Sequence, residues 1–204
     1  MSVGAAVFDF GGVMTTSTMP QRVVELARER GVDWDVFARG FEAHRLDFDA
    51  GFITIDEMYD LIWRDAGLSV PAETTAAFID ADTRSWCCRN ERTLAWMRAL
   101  KARGFGIGIL TNMAPAFARE HFETKFADFI ALADAMVVSG YEGIVKPQRA
   151  IYDLLRARIA RPAAELCFVD DLERNVAAAR AAGWQAIRFQ SKEQVEADFE
   201  RLVR

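Results

Sequence analysis

The chain has 204 residues, enough for one domain or for one domain carrying an insert. Apolar residues make up 51% and charged residues 27%, so burial can offset chain entropy and a disordered segment is excluded. With 25 Lys and Arg against 30 Asp and Glu, the net charge of −5 argues against a nucleic-acid backbone as partner, though a locally positive pocket can still take a small anion. The longest uncharged stretch, residues 104–118, is too short for a bilayer and is interrupted by Thr111, Asn112 and Pro115. Asp9 comes too early for a secretory leader, and three cysteines without a C-x-x-C spacing read as reduced thiols. The expectation is a cytoplasmic protein with no membrane contact.

In chain order, residues 3–10 are an apolar run that fits a buried strand and ends in Asp9-Phe10-Gly11-Gly12. About eighty residues of helical periodicity follow. Pro20 opens a first helix with Val23, Val24 and Ala27 on one face and Gly31 past its end. Asp33 caps a second carrying Val36, Phe37 and Phe41. Thr54 and Glu57 form a capping box ahead of Met58, Leu61, Ile62 and Ala66, with Gly67 as the stop. Pro71 sits in the first turn of a fourth helix.

Strands and helices then alternate. Asn90 caps a helix with Thr93, Trp96, Met97 and Leu100 on one face. Residues 105–110 form a strand ending in Thr111-Asn112, and a helix of about ten residues follows Pro115. Residues 135–138 form a third strand. Lys146-Pro147 opens a helix with Ile151, Leu154, Leu155 and Ile159. Residues 166–169 form a fourth strand ending in Asp170-Asp171, and an Ala-rich helix follows over residues 172–182. A fifth strand spans 186–189, and Ser191 with Gln194 caps the last helix. Such alternation specifies an α/β fold, a doubly wound parallel sheet with helices on both faces. The all-helical stretch after strand one is an insert. The expected division is a core of residues 1–14 and 89–204 and a small helical cap of residues 15–88.

In open parallel sheets, ligands bind beyond the carboxyl ends of the strands. Asp9, Thr111, Asn112, Asp170 and Asp171 all fall at that edge, and Lys146 follows the third strand. The set is three carboxylates, one ammonium, one hydroxyl and one amide. Carboxylates with room for water suit Mg²⁺, which binds one or two of them together with phosphate oxygens. Lys, Thr and Asn complement a phosphoryl group, and Asp9 can attack phosphorus to give an aspartyl phosphate.

The order of these motifs resembles the haloacid dehalogenase superfamily, in its large phosphatase branch with a helical cap after the first strand. Residues 7–13, VFDFGGV, are similar to its first motif and Leu110-Thr111-Asn112 to its second. Residues 143–147, GIVKP, are similar to the third, and residues 168–183, FVDDLERNVAAARAAG, to the fourth. Residues 48–59, FDAGFITIDEMY, resemble the middle of the cap, and the subgroup resembled is that of the N-terminal phosphatase domain of soluble epoxide hydrolases. The resemblance implies a Mg²⁺-dependent phosphatase of a small phosphorylated metabolite. Asp9 is then the nucleophile, with Lys146 and Thr111 assisting. Thr111, Asn112 and Lys146 bind the phosphoryl group. Asp9, the Gly11 carbonyl, Asp170 and Asp171 hold the metal, with Asp171 favoured as the direct ligand, and Asn175 orients the acidic loop. Two alternatives remain open: a catalytically silent relative that binds a phospho-ligand or partner, and a metal-free dehalogenase.

One position departs from the pattern. Family phosphatases carry an Asp two residues after the nucleophile, as acid for the leaving group and base for water, and here it is Gly11. General acid–base catalysis contributes ~10²–10⁴-fold, so slow turnover or selectivity for acidic leaving groups is expected. His44 on a cap helix is a candidate substitute. His121 is expected to be a bystander, the five tryptophans to be packing residues, and Arg45 and Arg64 to be solvated, with one of them a candidate contact for a substrate anion.

Overall fold

The computed structural model describes residues 3–16 and 21–203. Five parallel strands, β1 (Ala5–Phe8), β2 (Gly106–Thr111), β3 (Ala135–Val138), β4 (Leu166–Asp170) and β5 (Gln185–Arg188), form one sheet in the order β3-β2-β1-β4-β5. Alternate side chains of β1 leave on opposite faces, as a strand requires. Ala6 and Phe8 join the core beneath α5 (Glu91–Ala102) and the last helix, Lys192–Leu202, where Leu94, Trp96, Met97, Val195 and Phe199 are buried. Ala5 and Val7 join the opposite core under the helices Arg149–Ile159 and Glu173–Ala181, with Tyr152, Leu155 and Val176. Burial on both faces explains why these strands are near-continuous apolar runs.

Among the described residues, four α-helices separate β1 from α5: α1 (Gln21–Glu29), α2 (Trp34–Asp49), α3 (Ile55–Asp65) and α4 (Ala72–Ser85). They share a core of their own, centred on Phe37, Tyr59, Trp63 and Phe78, whose rings lie 5.2–6.5 Å apart. Asp33 caps α2 by accepting from Val36 N, and Thr54 with Glu57 closes the capping box of α3. Gly67 ends α3 with φ +67°, a conformation that Gly adopts without steric cost. Pro20 lies outside the described residues.

Two elements differ from expectation. The segment after Pro115 is not one helix. Pro115–Phe117 leads into a wide π-type turn, Ala118–Phe122, followed by Glu123–Lys125 and Ala127–Ile130. Phe117, Phe122 and Phe126 all pack on Phe10, at 6.0, 5.2 and 4.9 Å. A five-residue step between the first two would swing one away on a regular helix, and the wider turn keeps both on one side. The helix expected to open at Lys146-Pro147 starts only at Arg149, because the Lys146 backbone is bound elsewhere. Its N–H donates to Asn112 Oδ1 (2.7 Å) and its carbonyl accepts from Asn112 Nδ2 (3.0 Å). A short helix, Ser139–Glu142, was not anticipated.

Candidate active site

Asp9 follows β1, Asp170 ends β4 and Asp171 comes next, so two adjacent central strands deliver three carboxylates to one edge. One oxygen from each of the three lies within 4.8 Å of the others. Lys146 reaches in from beside β3 and β2, its ammonium 2.6 Å from Asp9 Oδ1 and 2.7 Å from Asp170 Oδ2, with almost no exposure of its own. Burial opposes its charge, but Asp170 and Asp9 outweigh that and hold it above the usual ammonium range. Burial first, and Asp170 second, push the Asp9 carboxyl well above the carboxylate range against the pull of Lys146. Burial, then Asp170, push Asp171 up to about 6.

The two inner acids are held differently. Asp170 is fully buried and its oxygens are occupied: Oδ1 accepts from Leu172 N (2.8 Å) and Asn175 Nδ2 (3.1 Å), Oδ2 from Asn175 Nδ2 (3.0 Å) and Lys146. Asn175 therefore grips the acidic loop, and its own Oδ1 is buried without a partner among the described residues. Asp9 Oδ1 takes both the Phe10 N–H (2.7 Å) and Lys146, which fixes the carboxylate plane and leaves Oδ2 available. Asp9 and Asp171 line a large cavity, whereas Asp170 stands behind them.

Thr111 is buried at the end of β2, its hydroxyl donating to the Asn112 carbonyl (3.3 Å) rather than lining the cavity. Asn112 does line the cavity, but both ends of its amide are bound to the Lys146 main chain. In this state Asn112 positions Lys146. Gly11 lies in the turn Phe10–Met14 with φ −63° and ψ 131°, while Gly12 carries the positive φ of 66°.

The cavity has a volume of about 730 Å³ and lies between this edge and α2–α4. Its far wall is aromatic, with Trp34, Phe37, Phe41, Phe48 and Trp86. Leu46, Phe52 and Leu172 line it while remaining more than a third exposed. Arg174 pairs with Glu42 of α2 at 2.8 Å, and both residues line the cavity.

Several side chains stand where the sequence did not place them. Arg45 is not solvated: its Nε lies 2.9 Å from both oxygens of Asp49, and its guanidinium lies 5.2–5.9 Å from the ring centres of Phe41, Phe48 and Trp86. Arg64 is exposed as expected. His44 does not face the cleft; it pairs with Asp65 at 2.7 Å, away from the cavity lining. His121 does line the cavity, with Nδ1 buried and unpartnered among the described residues. Trp86 is more than packing: its ring covers Gly11, where a Cβ would meet its Cζ3 at 3.2 Å. The Arg45-to-Asp49 interval, one helical turn on α2, signalled an ion pair, though not that it faces inward.

The sheet order brings the acid triplet and the buried ammonium together at one edge of an α/β sheet. Residues 3–183 match the haloacid dehalogenase-like hydrolase family, and the chain belongs to it. It is 32% identical over 189 residues to the sesquiterpene phosphatase astK of Aspergillus oryzae, covering 88% of this chain and 86% of that protein. The family match makes it a hydrolase. A Bacteroides thetaiotaomicron enzyme of the same family, solved with magnesium and inorganic phosphate, superposes with a TM-score of 0.68 at 18% identity, over 93% of this chain and 96% of that one. The L-2-haloacid dehalogenase of Xanthobacter autotrophicus superposes with a TM-score of 0.65 at 19% identity, over 98% and 83%. Both share the fold. No helix among the described residues is long and apolar enough to cross a membrane.

Proposed function

We propose that the chain is a Mg²⁺-dependent phosphatase acting on a phosphate monoester with an apolar body, and that residues 15–88 are the cap that encloses that body. The observation that carries this reading is the junction of two chemistries in one cavity. An acid cluster with one ammonium stands at its floor, and an aromatic wall faces it. A cavity of this size is ordinary for a small-molecule site, and an apolar body would bury itself against the aromatic wall. The similarity to a sesquiterpene phosphatase supports the same substrate class.

Three carboxylates around one ammonium leave excess negative charge on hard oxygen donors, which fits a small divalent cation. Asp9 and Asp171, with the Gly11 carbonyl, would hold Mg²⁺, and Asp170, its oxygens already taken, would anchor the loop and reach the metal through water. The ion supplies charge neutralisation for phosphate oxygens that would otherwise repel Asp9. Lys146 holds the Asp9 carboxylate in place and offers positive charge to the phosphoryl group. Asp9 Oδ2 attacks phosphorus, and an aspartyl phosphate forms and is hydrolysed. Position 11 offers no proton, and without a replacement turnover would be slow or confined to acidic leaving groups.

The test is phosphate release from terpenyl, alkyl, sugar, nucleotide and aryl monophosphates, with Mg²⁺ and with EDTA. Terpenyl and long alkyl phosphates are expected to show the highest kcat/KM, and EDTA to abolish release. A preference for sugar or nucleotide phosphates would overturn the substrate class. Hydrolysis of 2-chloropropionate that survives EDTA would move the chain to the dehalogenases.

A further inference from the structure

Gly11 removes the carboxyl that protonates the leaving group, and the space beside it is filled by Trp86. The insert forms the cavity wall opposite Asp9, so a substitute carried on it would face the acid cluster. Of the insert's acids on the cavity wall, Glu42 is exposed and paired with Arg174, Asp56 and Glu57 are exposed in the first turn of α3, and Asp82 accepts from Trp86 Nε1 (2.9 Å) and Tyr59. His44 is turned away toward Asp65. Asp49, the last residue of α2, is different. It is 3% exposed, lines the same cavity as Asp9 and Lys146, and lies within electrostatic reach of both Lys146 and Arg174.

Asp49 is also tied to the reactive edge through its backbone. Ser139 Oγ donates to the Asp49 carbonyl at 2.6 Å and accepts from Met113 N at 2.8 Å, one residue past Asn112. Arg45 fixes the carboxyl plane through contacts of 2.9 Å to both oxygens.

We propose that Asp49 is the proton donor and acceptor that position 11 lacks. This role rests on the phosphatase reading above. In the first step Asp9 Oδ2 attacks phosphorus, the bond from phosphorus to the ester oxygen breaks with its electron pair on oxygen, and the Asp49 proton goes to that oxygen. The alcohol leaves and Asp49 is ionised. In the second step Asp49 takes a proton from water as the water oxygen attacks phosphorus. The bond between Asp9 and phosphorus breaks, inorganic phosphate departs, and Asp49 is again protonated. Burial, acting against Arg45, raises the Asp49 carboxyl from its ordinary value, the direction a proton donor needs. The charged and titratable groups around it are Arg45, Asp82, Lys146 and Arg174.

The experiment compares decyl phosphate with 4-nitrophenyl phosphate in Mg²⁺, using wild type and Asp49→Asn. The amide keeps shape and removes the proton. Decyl phosphate turnover is expected to fall ~10²-fold or more. With 4-nitrophenyl phosphate the variant should give a burst of nitrophenol followed by slow phosphate release, because only the second step then lacks its base. Equal losses on both substrates with no burst, or no loss at all, would overturn the role of Asp49 while leaving the phosphatase reading intact. Should Asp49→Asn fail to fold, the wild-type dependence of kcat/KM on leaving-group pKa decides. A shallow dependence across aryl and alkyl phosphates supports an acid in the site, and a steep one overturns it. A wild type that releases phosphate from no monoester, with or without Mg²⁺, would overturn both readings.

Discussion

Installing the family's missing carboxyl, Gly11→Asp, should destabilise the protein, and the cost can be worked from the contact beside it. The backbone is not the obstacle, since φ −63° and ψ 131° suit any L-residue. The obstacle is the Trp86 ring, whose Cζ3, Cη2 and Cε3 atoms would lie 3.2, 3.9 and 4.0 Å from the new Cβ. The indole has little freedom to retreat. Its Nε1 is hydrogen-bonded to Asp82 at 2.9 Å, and the Arg45 guanidinium lies 5.2 Å from the ring centre. Forcing extra atoms into a packed site costs about 1–3 kcal/mol. For a chain of this length each kcal/mol lowers Tm by roughly 2–4 °C. Thermal melts in EDTA, which keep metal binding out of the comparison, should be run on wild type, Gly11→Asp, Trp86→Leu and the double variant. If the clash is with Trp86, the double variant loses less than the two singles together, with a coupling of about 0.5–3 kcal/mol. Strictly additive melts, or a Gly11→Asp melt equal to wild type, would refute the packing argument.

Three further outcomes follow from the acid cluster and the thiols. Asp9 has its folded-state pKa raised, so it favours the folded form most below the ordinary carboxylate range, and that contribution is lost as pH rises through the raised value. The metal-free wild type should therefore lose Tm across that window, and Asp9→Asn should lose less while releasing no phosphate; parallel pH–Tm curves would contradict this. Lys146→Met leaves the buried acids Asp9 and Asp170 without their ammonium and should cost about 3–5 kcal/mol, read by urea unfolding at neutral pH. Burial pushes the Cys167 thiol up to about 12, so a disulfide reagent on the native protein should label exposed Cys88 rapidly and leave Cys167 intact until unfolding.

Elements whose determinants are local were legible in the sequence. The capping box at Thr54 and Glu57, the cap at Asp33 and the apolar run of β4 each carry their own instructions within a few residues, and each is present. That the polar residues ending β1 and β4 would meet was legible too, since parallel strands in one sheet share an edge. What was not legible depends on contact between the insert and the sheet. Arg45 looked like one more surface cation until its helix was seated against Trp86, and Asp49 was invisible as a cavity-lining group because no strand end announces it. His44 was singled out for its chemistry, but its partner Asp65 lies on the neighbouring helix α3, and that pairing turns it from the cleft. The wide turn at Ala118–Phe122 was missed because its cause, the Phe10 ring, lies more than a hundred residues earlier in the chain.

The position of β1 has a kinetic consequence. It is the middle strand of the sheet, paired with β2 on one side and β4 on the other, in registers that join Ala5 to Gly106 and to Leu166. Pairings so distant in sequence form slowly, because the chain must close large loops before any contact rewards it. During synthesis β1 emerges first and then waits, with both of its edges open, while the four helices behind it can close locally. The second edge is not covered until β4 has been made. Asp9 and Asp170 therefore come together only after β4 has been made, so no fragment that ends before β4 can hold the acid cluster, and a truncation that removes β4 leaves an apolar strand with an unpaired edge exposed to aggregation.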